Sequence, residues 1–184
     1  RWCAKGYTQV KGVDYNETYS PTSAPASFKI NQARAAQDIN IVQETWDAVG
    51  AFYQANPKYK QYMYQPDGHY IDTLPNASKP STKKLVWELK KSMPGTKDAG
   101  FCWNKDWTEF LVRKLDMVPN PVDTATFHYQ DKKRGWLSMN THVDDAAITA
   151  SSQAIADWAY ALVSARFVMK RVPRVDIYIG IHCQ

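Results

Sequence analysis

The sequence predicts an α+β fold. Three observations carry that expectation. Strand-like and helix-like stretches are interleaved irregularly along the 184 residues. Residues 124–129 and 135–143 read as two strands joined by the charged turn Asp131-Lys132-Lys133-Arg134. Hydrophobic residues make up 44% and charged residues 22%, apolar enough for a real core and too apolar for disorder.

The elements follow in order. Residues 1–10 are rich in strand formers and close at Gly12, which reads as a strand and a turn. Tyr19-Ser20-Pro21-Thr22 looks like a helix entry, and Phe28, Ile30, Ala33 and Ala36 recur near helical spacing over 26–36. Ile39-Asn40-Ile41-Val42 is a β-branched run expected to form a strand ending near Asp47, and a small-residue helical turn follows to Gln54. Residues 59–64 alternate as a strand, Pro66-Asp67-Gly68 is a turn, 72–84 is a loop, and 84–89 is a strand. An aromatic-rich helical pattern covers about 97–115. After the paired strands, 146–150 continues as a strand, and 152–167 has helical spacing with Ser152 as N-cap. The last strand is expected over 176–182. Trp87, Trp103, Trp107, Trp136 and Trp158 fall on these elements, so core packing is expected of them rather than base stacking.

Composition narrows the function classes. No run of 18 apolar residues occurs, so a membrane-spanning helix is not expected. The first residues lack a signal-peptide core, so secretion is not expected either. The 3 cysteines are odd in number and far apart, which argues against a disulfide framework or a zinc ribbon. A net charge of +5 is compatible with a polyanionic partner without requiring one. His69, His128 and His182 have no metal-ligand spacing.

The sharpest local feature is Thr141-His142-Val143-Asp144-Asp145. With strands on either side, the two acids sit at a hairpin tip, where they repel each other. A divalent cation removes that penalty, and hard carboxylate oxygens suit magnesium. Asp47, at the end of another expected strand, is the candidate third acid. An Asp-Asp pair is also an ordinary turn feature, and both readings stand at this point.

The surrounding text resembles the reverse transcriptases of copia-type long-terminal-repeat retrotransposons. RWCAKGYTQ at 1–9 with GVDYNETYSPT at 12–22 is similar to the family's RLVAKGYTQ and GVDYDETFSPV. TWDAVGAFYQ at 45–54 is similar to MDVKTAFLNG, YMYQPDG at 62–68 to YMEQPEG, and LKKSMPGTKDA at 89–99 to LKKSLYGLKQA, with Trp103 at its end. HVDDAAI at 142–148 is similar to YVDDMLI, and FVMK at 167–170 with YIGI at 178–181 to FxMK and FLGI. The order is collinear along the chain.

The resemblance implies a right-hand polymerase palm with partial fingers, an antiparallel sheet packed on helices. It assigns the fingers mainly to 1–40 and 57–95 and the palm mainly to 41–56 and 96–184, with the thumb and RNase H absent. It implies RNA-directed DNA synthesis with two Mg2+ ions held by Asp47, Asp144 and Asp145, and Lys170 protonating the leaving pyrophosphate. Arg1, Lys5, Phe52, Gly95 and Lys97 would bind the nucleotide, with Phe52 gating the sugar and Gly95 allowing close backbone approach. His142, Tyr178 and Gly180 would meet the primer. By pattern alone Phe52 reads as a core residue, while for Arg1 and Lys5 a solvated strand face and triphosphate binding stand side by side. The implied partners are an RNA template, a DNA primer, deoxynucleoside triphosphates and the remaining Pol segments, with possible protein assembly partners. The implied location is a cytoplasmic virus-like particle.

Several positions depart from the family pattern. His142 stands for Tyr, Pro94 for Tyr, Asp98 for Gln, Gly100-Phe101-Cys102 for Pro-Arg-Gln, Arg171 for Asp and Pro173 for Gly. An acid at Asp98 is expected to repel phosphate in the nucleotide channel. A second class therefore stands beside the polymerase: a catalytically silent reverse-transcriptase-derived domain serving as a structural or binding part of a larger assembly.

Overall fold

The structure, a computed structural model, describes residues 3–64, 86–173, 175, 177, 178 and 180–182. Arg1, the turn expected at 66–68 and the loop expected at 72–84 lie outside the described residues.

After a 3-10 turn at Gly6–Thr8 come α1 (Pro25–Ala35), β1 (Val42–Ala48), α2 (Ala51–Gln54), β2 (Gln61–Tyr64), β3 (Val86–Leu89) and α3 (Ala99–Leu115). The chain continues through β4 (Val118–Pro119), β5 (Thr126–Asp131), β6 (Gly135–His142), β7 (Asp145–Ala150), α4 (Gln153–Ser164), β8 (Met169–Val172), β9 (Ile177–Tyr178) and β10 (Ile181–His182). Six of the strands form one antiparallel sheet in the order β4-β5-β6-β7-β1-β8, while β2-β3 and β9-β10 are separate two-stranded ribbons. The α+β expectation of an antiparallel sheet packed on helices holds.

Alternation along the strands divides the sheet into two faces. Trp46, Ala48, Leu137, Met139, Ala146 and Ile148 face α3 and α4, where Trp103, Trp107, Leu111, Ile155 and Phe167 complete the main core. Trp103 and Trp107 stack at 5.5 Å, and Phe167 meets both at 5.3 Å. Such ring contacts add about 0.5–1.5 kcal/mol each beyond the area they bury. The opposite face carries α1. There Phe28 packs with Ala147, Val175 and Tyr178, and the buried Asn31 amide donates to Ser138 Oγ at 2.9 Å and Asn140 Oδ1 at 2.6 Å.

Four expectations need correction. Residues 3–10 form no strand: Ala4 N–H donates to the Pro94 carbonyl at 2.8 Å, and a Cβ on Gly6 would stand only 1.9 Å from the Gly95 oxygen. This segment is wedged against a loop instead of lying beside a strand. The strand expected from Ile39 begins at Val42, because Asp38 ties up the backbone of Asn40 and Ile41 in a turn. The helix starts at Pro25, past the entry read at 19–22, with proline in the first turn where its missing N–H costs nothing. The single last strand is a folded ribbon, bent where Gly180 takes φ +74. Ser152 does precede α4, although its side chain makes no cap bond.

Strand β8, unread in the sequence, is held at the sheet edge by an ion pair. Arg171 lies opposite Trp46 in the β1-β8 register and reaches into the α4 side of the sheet. Its guanidinium binds Glu44 through Nε at 2.9 Å and through its other arm at 2.8 Å, and binds Asp157 of α4 at 2.6 Å. Glu44 is 1% exposed at its side chain, and its second oxygen accepts the Trp46 indole N–H at 2.6 Å. Breaking one side of such a pair leaves a buried charge unmatched. Arg171→Met is therefore expected to destabilise the chain by about 3–5 kcal/mol in urea unfolding. Adding Glu44→Gln should recover at least half of that loss; no recovery would mean that the pair is not what holds β8.

Candidate active site

The β1-β7 ladder pairs Asp47 with Asp145, β6-β7 pairs His142 with Asp145, and β1-β8 pairs Asp47 with Lys170. Directly paired residues of an antiparallel sheet point to the same face. His142, Asp145, Asp47 and Lys170 thus form one row across four strands. Asp47 alternates with the buried Trp46 and Ala48, which puts the row on the α1 face, opposite α3 and α4. Asp47 is half-buried, and Asp144 and Asp145 are exposed.

Asp144 enters through the turn. A two-residue link, Val143-Asp144, joins β6 to β7. Such turns need a positive φ at the first central residue, which normally selects Gly or Asn. Here Val143 holds φ 54, a strained state for a β-branched side chain that costs of order 1–3 kcal/mol. Two bonds from outside the hairpin secure it. Ala48 N–H donates to the Asp144 carbonyl at 2.8 Å, and the Trp103 indole N–H donates to the Val143 carbonyl at 2.5 Å. The first brings the two-acid turn alongside the residue following Asp47.

Asp145 senses the two acids beside it. Asp145 has its pKa raised, first by partial burial, then by the charges of Asp144 and Asp47, while His142 pulls in the opposite direction. A cluster of unneutralised hard oxygens suits a divalent cation such as magnesium. Among the described residues no three acidic, His or Cys side chains already close around a common point as a finished ligand shell. The donor chemistry fits the ion, and the side chains have still to converge.

Comparison with known proteins identifies the family. All 184 residues match the family described as "Reverse transcriptase (RNA-dependent DNA polymerase)". The chain belongs to this reverse transcriptase family. It is 29% identical over 184 residues to the Retrovirus-related Pol polyprotein from transposon RE2 of Arabidopsis thaliana, covering 100% of this chain and 12% of that protein. It is 25% identical over 180 residues to the corresponding polyprotein from transposon TNT 1-94 of Nicotiana tabacum, covering 98% of this chain and 13% of that one. The chain therefore spans only about 12–13% of the length of these curated relatives. No solved structure matches it.

Within this reverse transcriptase domain the remaining expected site residues are scattered. Phe52, on α2, is half-buried and packs against the main core. Lys5 and Lys97 are exposed, and Lys97 N–H donates to Gln9 Oε1 at 2.6 Å. Gly95 holds φ +95, and the chain that approaches it is the protein's own: a Cβ would stand 2.2 Å from the Ala4 carbonyl oxygen. Tyr178 is 4% exposed, packs its ring at a tilt against Phe28 with centroids 4.8 Å apart, and donates its hydroxyl to the Asn140 carbonyl at 2.8 Å. Burial above all pushes its phenol well up. The ring expected at the primer is thus occupied in packing, while Gly180 is exposed beside it. His142 is half-buried, and its Nδ1 is buried without a hydrogen-bond partner. A cleft of about 630 Å³ lies away from the acid row, between the N-terminal segment with Lys5 and Gln9 and strand β2 with Tyr62 and Tyr64; none of the three acids lines it.

Two departures from the family pattern find structural employment. Asp98 is 1% exposed and accepts the Gln61 amide at 2.7 Å, so it ties β2 to the start of α3 instead of facing an open channel. Arg171 is the partner of Glu44. The sequence carried no sign of the Trp103-to-Val143 bond, since a tryptophan in an aromatic helix reads as core.

The sign of the Asp145 shift yields a pH test. A raised carboxyl pKa means that the fold favours the protonated form. Its stabilising contribution is complete below the unfolded value, about 3.9, and is lost as pH rises through the folded value. At neutral pH ionised Asp145 is a net burden. Asp145→Asn should raise Tm by roughly 1–3 °C at pH 7 and leave it unchanged below about pH 3. Exposure keeps the effect small, and added salt should shrink it. A lower Tm for the variant at pH 7 contradicts the repulsion.

Proposed function

We propose that this chain forms the palm and part of the fingers of the RNA-directed DNA polymerase of a copia-type retrotransposon Pol polyprotein. The observation that supports this most is the cross-strand pair Asp47-Asp145 beside the Asp144 turn, in a chain matched to the family over its full 184 residues. In this reading 41–56 and 96–184 are mainly palm, and 1–40 and 57–95 are mainly fingers.

Asp47, Asp144 and Asp145 would hold two magnesium ions, which supply neutralisation of phosphate charge and a lowered pKa for the attacking primer hydroxyl. The protein's own work is positioning and electrostatics, the larger part of catalysis in phosphoryl transfer. The sheet keeps the acids in one row. Lys170, paired with Asp47 in register, stands as a proton donor for pyrophosphate on the same face. Lys5 and Lys97 add positive charge for the triphosphate or template phosphates. The half-buried Phe52 ring, backed by the core, would meet the sugar and reject a 2′-hydroxyl. The partners are an RNA template, a DNA primer, deoxynucleotides and the other Pol segments, working in a cytoplasmic particle.

Two measurements test this. Magnesium should raise the Tm of the chain in a concentration-dependent way, because a ligand of the folded state stabilises it, and Asp144→Asn or Asp47→Asn should remove the response. In a longer Pol segment that includes this chain, Asp144→Asn should reduce primer extension on an RNA template to background. An active segment indifferent to Asp144→Asn, or a wild-type chain indifferent to magnesium, favours the silent structural role. Phe52→Ala should raise ribonucleotide use relative to deoxynucleotide use; equal losses of both would assign the ring to the core alone.

A further inference from the structure

The turn that carries the acids is under two kinds of load. Val143 occupies φ 54, which a β-branched residue leaves unless something holds it. Asp144 and Asp145 are adjacent like charges facing a third at Asp47. The bond from Ala48 N–H to the Asp144 carbonyl is backbone to backbone, so almost any sequence could supply it. The bond to the Val143 carbonyl comes from one side chain, Trp103.

Packing accounts for the Trp103 ring but not for its donor. The ring is 2% exposed, stacked on Trp107 and met edge-on by Phe167. A phenylalanine would fill much of the same space. The indole N–H can only donate, and here it is delivered by a buried side chain held between Trp107 and Phe167, to the carbonyl of the one strained residue in the turn. Helix α3 thereby reaches past the end of the sheet to the acidic hairpin.

We propose that Trp103 is a positioning residue of the active site: its indole N–H holds the Val143 carbonyl, keeps the turn in its positive-φ state and so presents Asp144 and Asp145 toward Asp47. This rests on the magnesium reading of the three acids. Groups that orient metal-binding side chains affect affinity by tenfold or more.

The test uses Trp103→Phe, which keeps an aromatic ring and deletes the donor, and Val143→Gly, which adopts a positive φ without help. Magnesium affinity is read by titration calorimetry, and exchange of the Trp103 indole proton by NMR on the wild-type chain. The indole proton should be strongly protected. Trp103→Phe should weaken magnesium binding by about tenfold. In a Val143→Gly background the same change should cost no more than about twofold, because the relaxed turn no longer needs the clamp. A freely exchanging indole proton, unchanged affinity in Trp103→Phe, or an equal loss in both backgrounds overturns the clamp and leaves Trp103 as core. A wild-type chain that binds no magnesium overturns the reading of the acids themselves, and with it any role for the clamp at that site.

Discussion

The register between β1 and β7 is the constraint on which the rest depends. Asp47 and Asp145 are far apart in sequence and meet because Val42–Ala48 runs antiparallel to Asp145–Ala150 without a slip. A shift of one residue would turn every side chain to the other face. What forbids that shift is apolar: Trp46, Ala48, Ala146 and Ile148 must all face α3 and α4. Burying those side chains therefore places the acids. The face that carries the acid row is the complement of the core face.

Such a site is held against its own preferences. The acids repel, and Val143 sits in a conformation it disfavours. Both are tolerated because the surrounding structure over-determines them: a cluster of Trp103, Trp107 and Phe167 below, and the Ala48–Asp144 bond at the strand end. Strain and unneutralised charge of this kind are recurrent in sites that must bind a charged ligand.

Departures from a family pattern acquire a different meaning once contacts are visible. Arg171, read in the sequence as the loss of an acid, neutralises the buried Glu44 and ties β8 and α4 to β1. By fastening β8, it also fixes Lys170 opposite Asp47. Asp98, read as an intruding charge, is buried against Gln61. Neither substitution touches the acid row. His142 does lie in the row, beside Asp145, where a tyrosine is usual in the family.

The amino-acid sequence alone determined the family, the α+β class, the long aromatic helix and the hairpin with its two acids. These were legible because they are local: helical spacing over 97–115, strand runs around a charged turn, and an uninterrupted Thr141–Asp145 segment. It did not determine β8, the folding of 176–182 into a ribbon, the wedge of residues 3–10 against Gly95, or the partners of Glu44 and Trp103. Each of these depends on a residue remote in the chain. Arg171 is defined by Glu44, Gly6 by Gly95, and the Trp103 donor by Val143. Periodicity reports which face of an element is apolar, but not what the other elements bring to it, and only the tertiary structure joined Asp47 to the acidic turn and gave that turn its support.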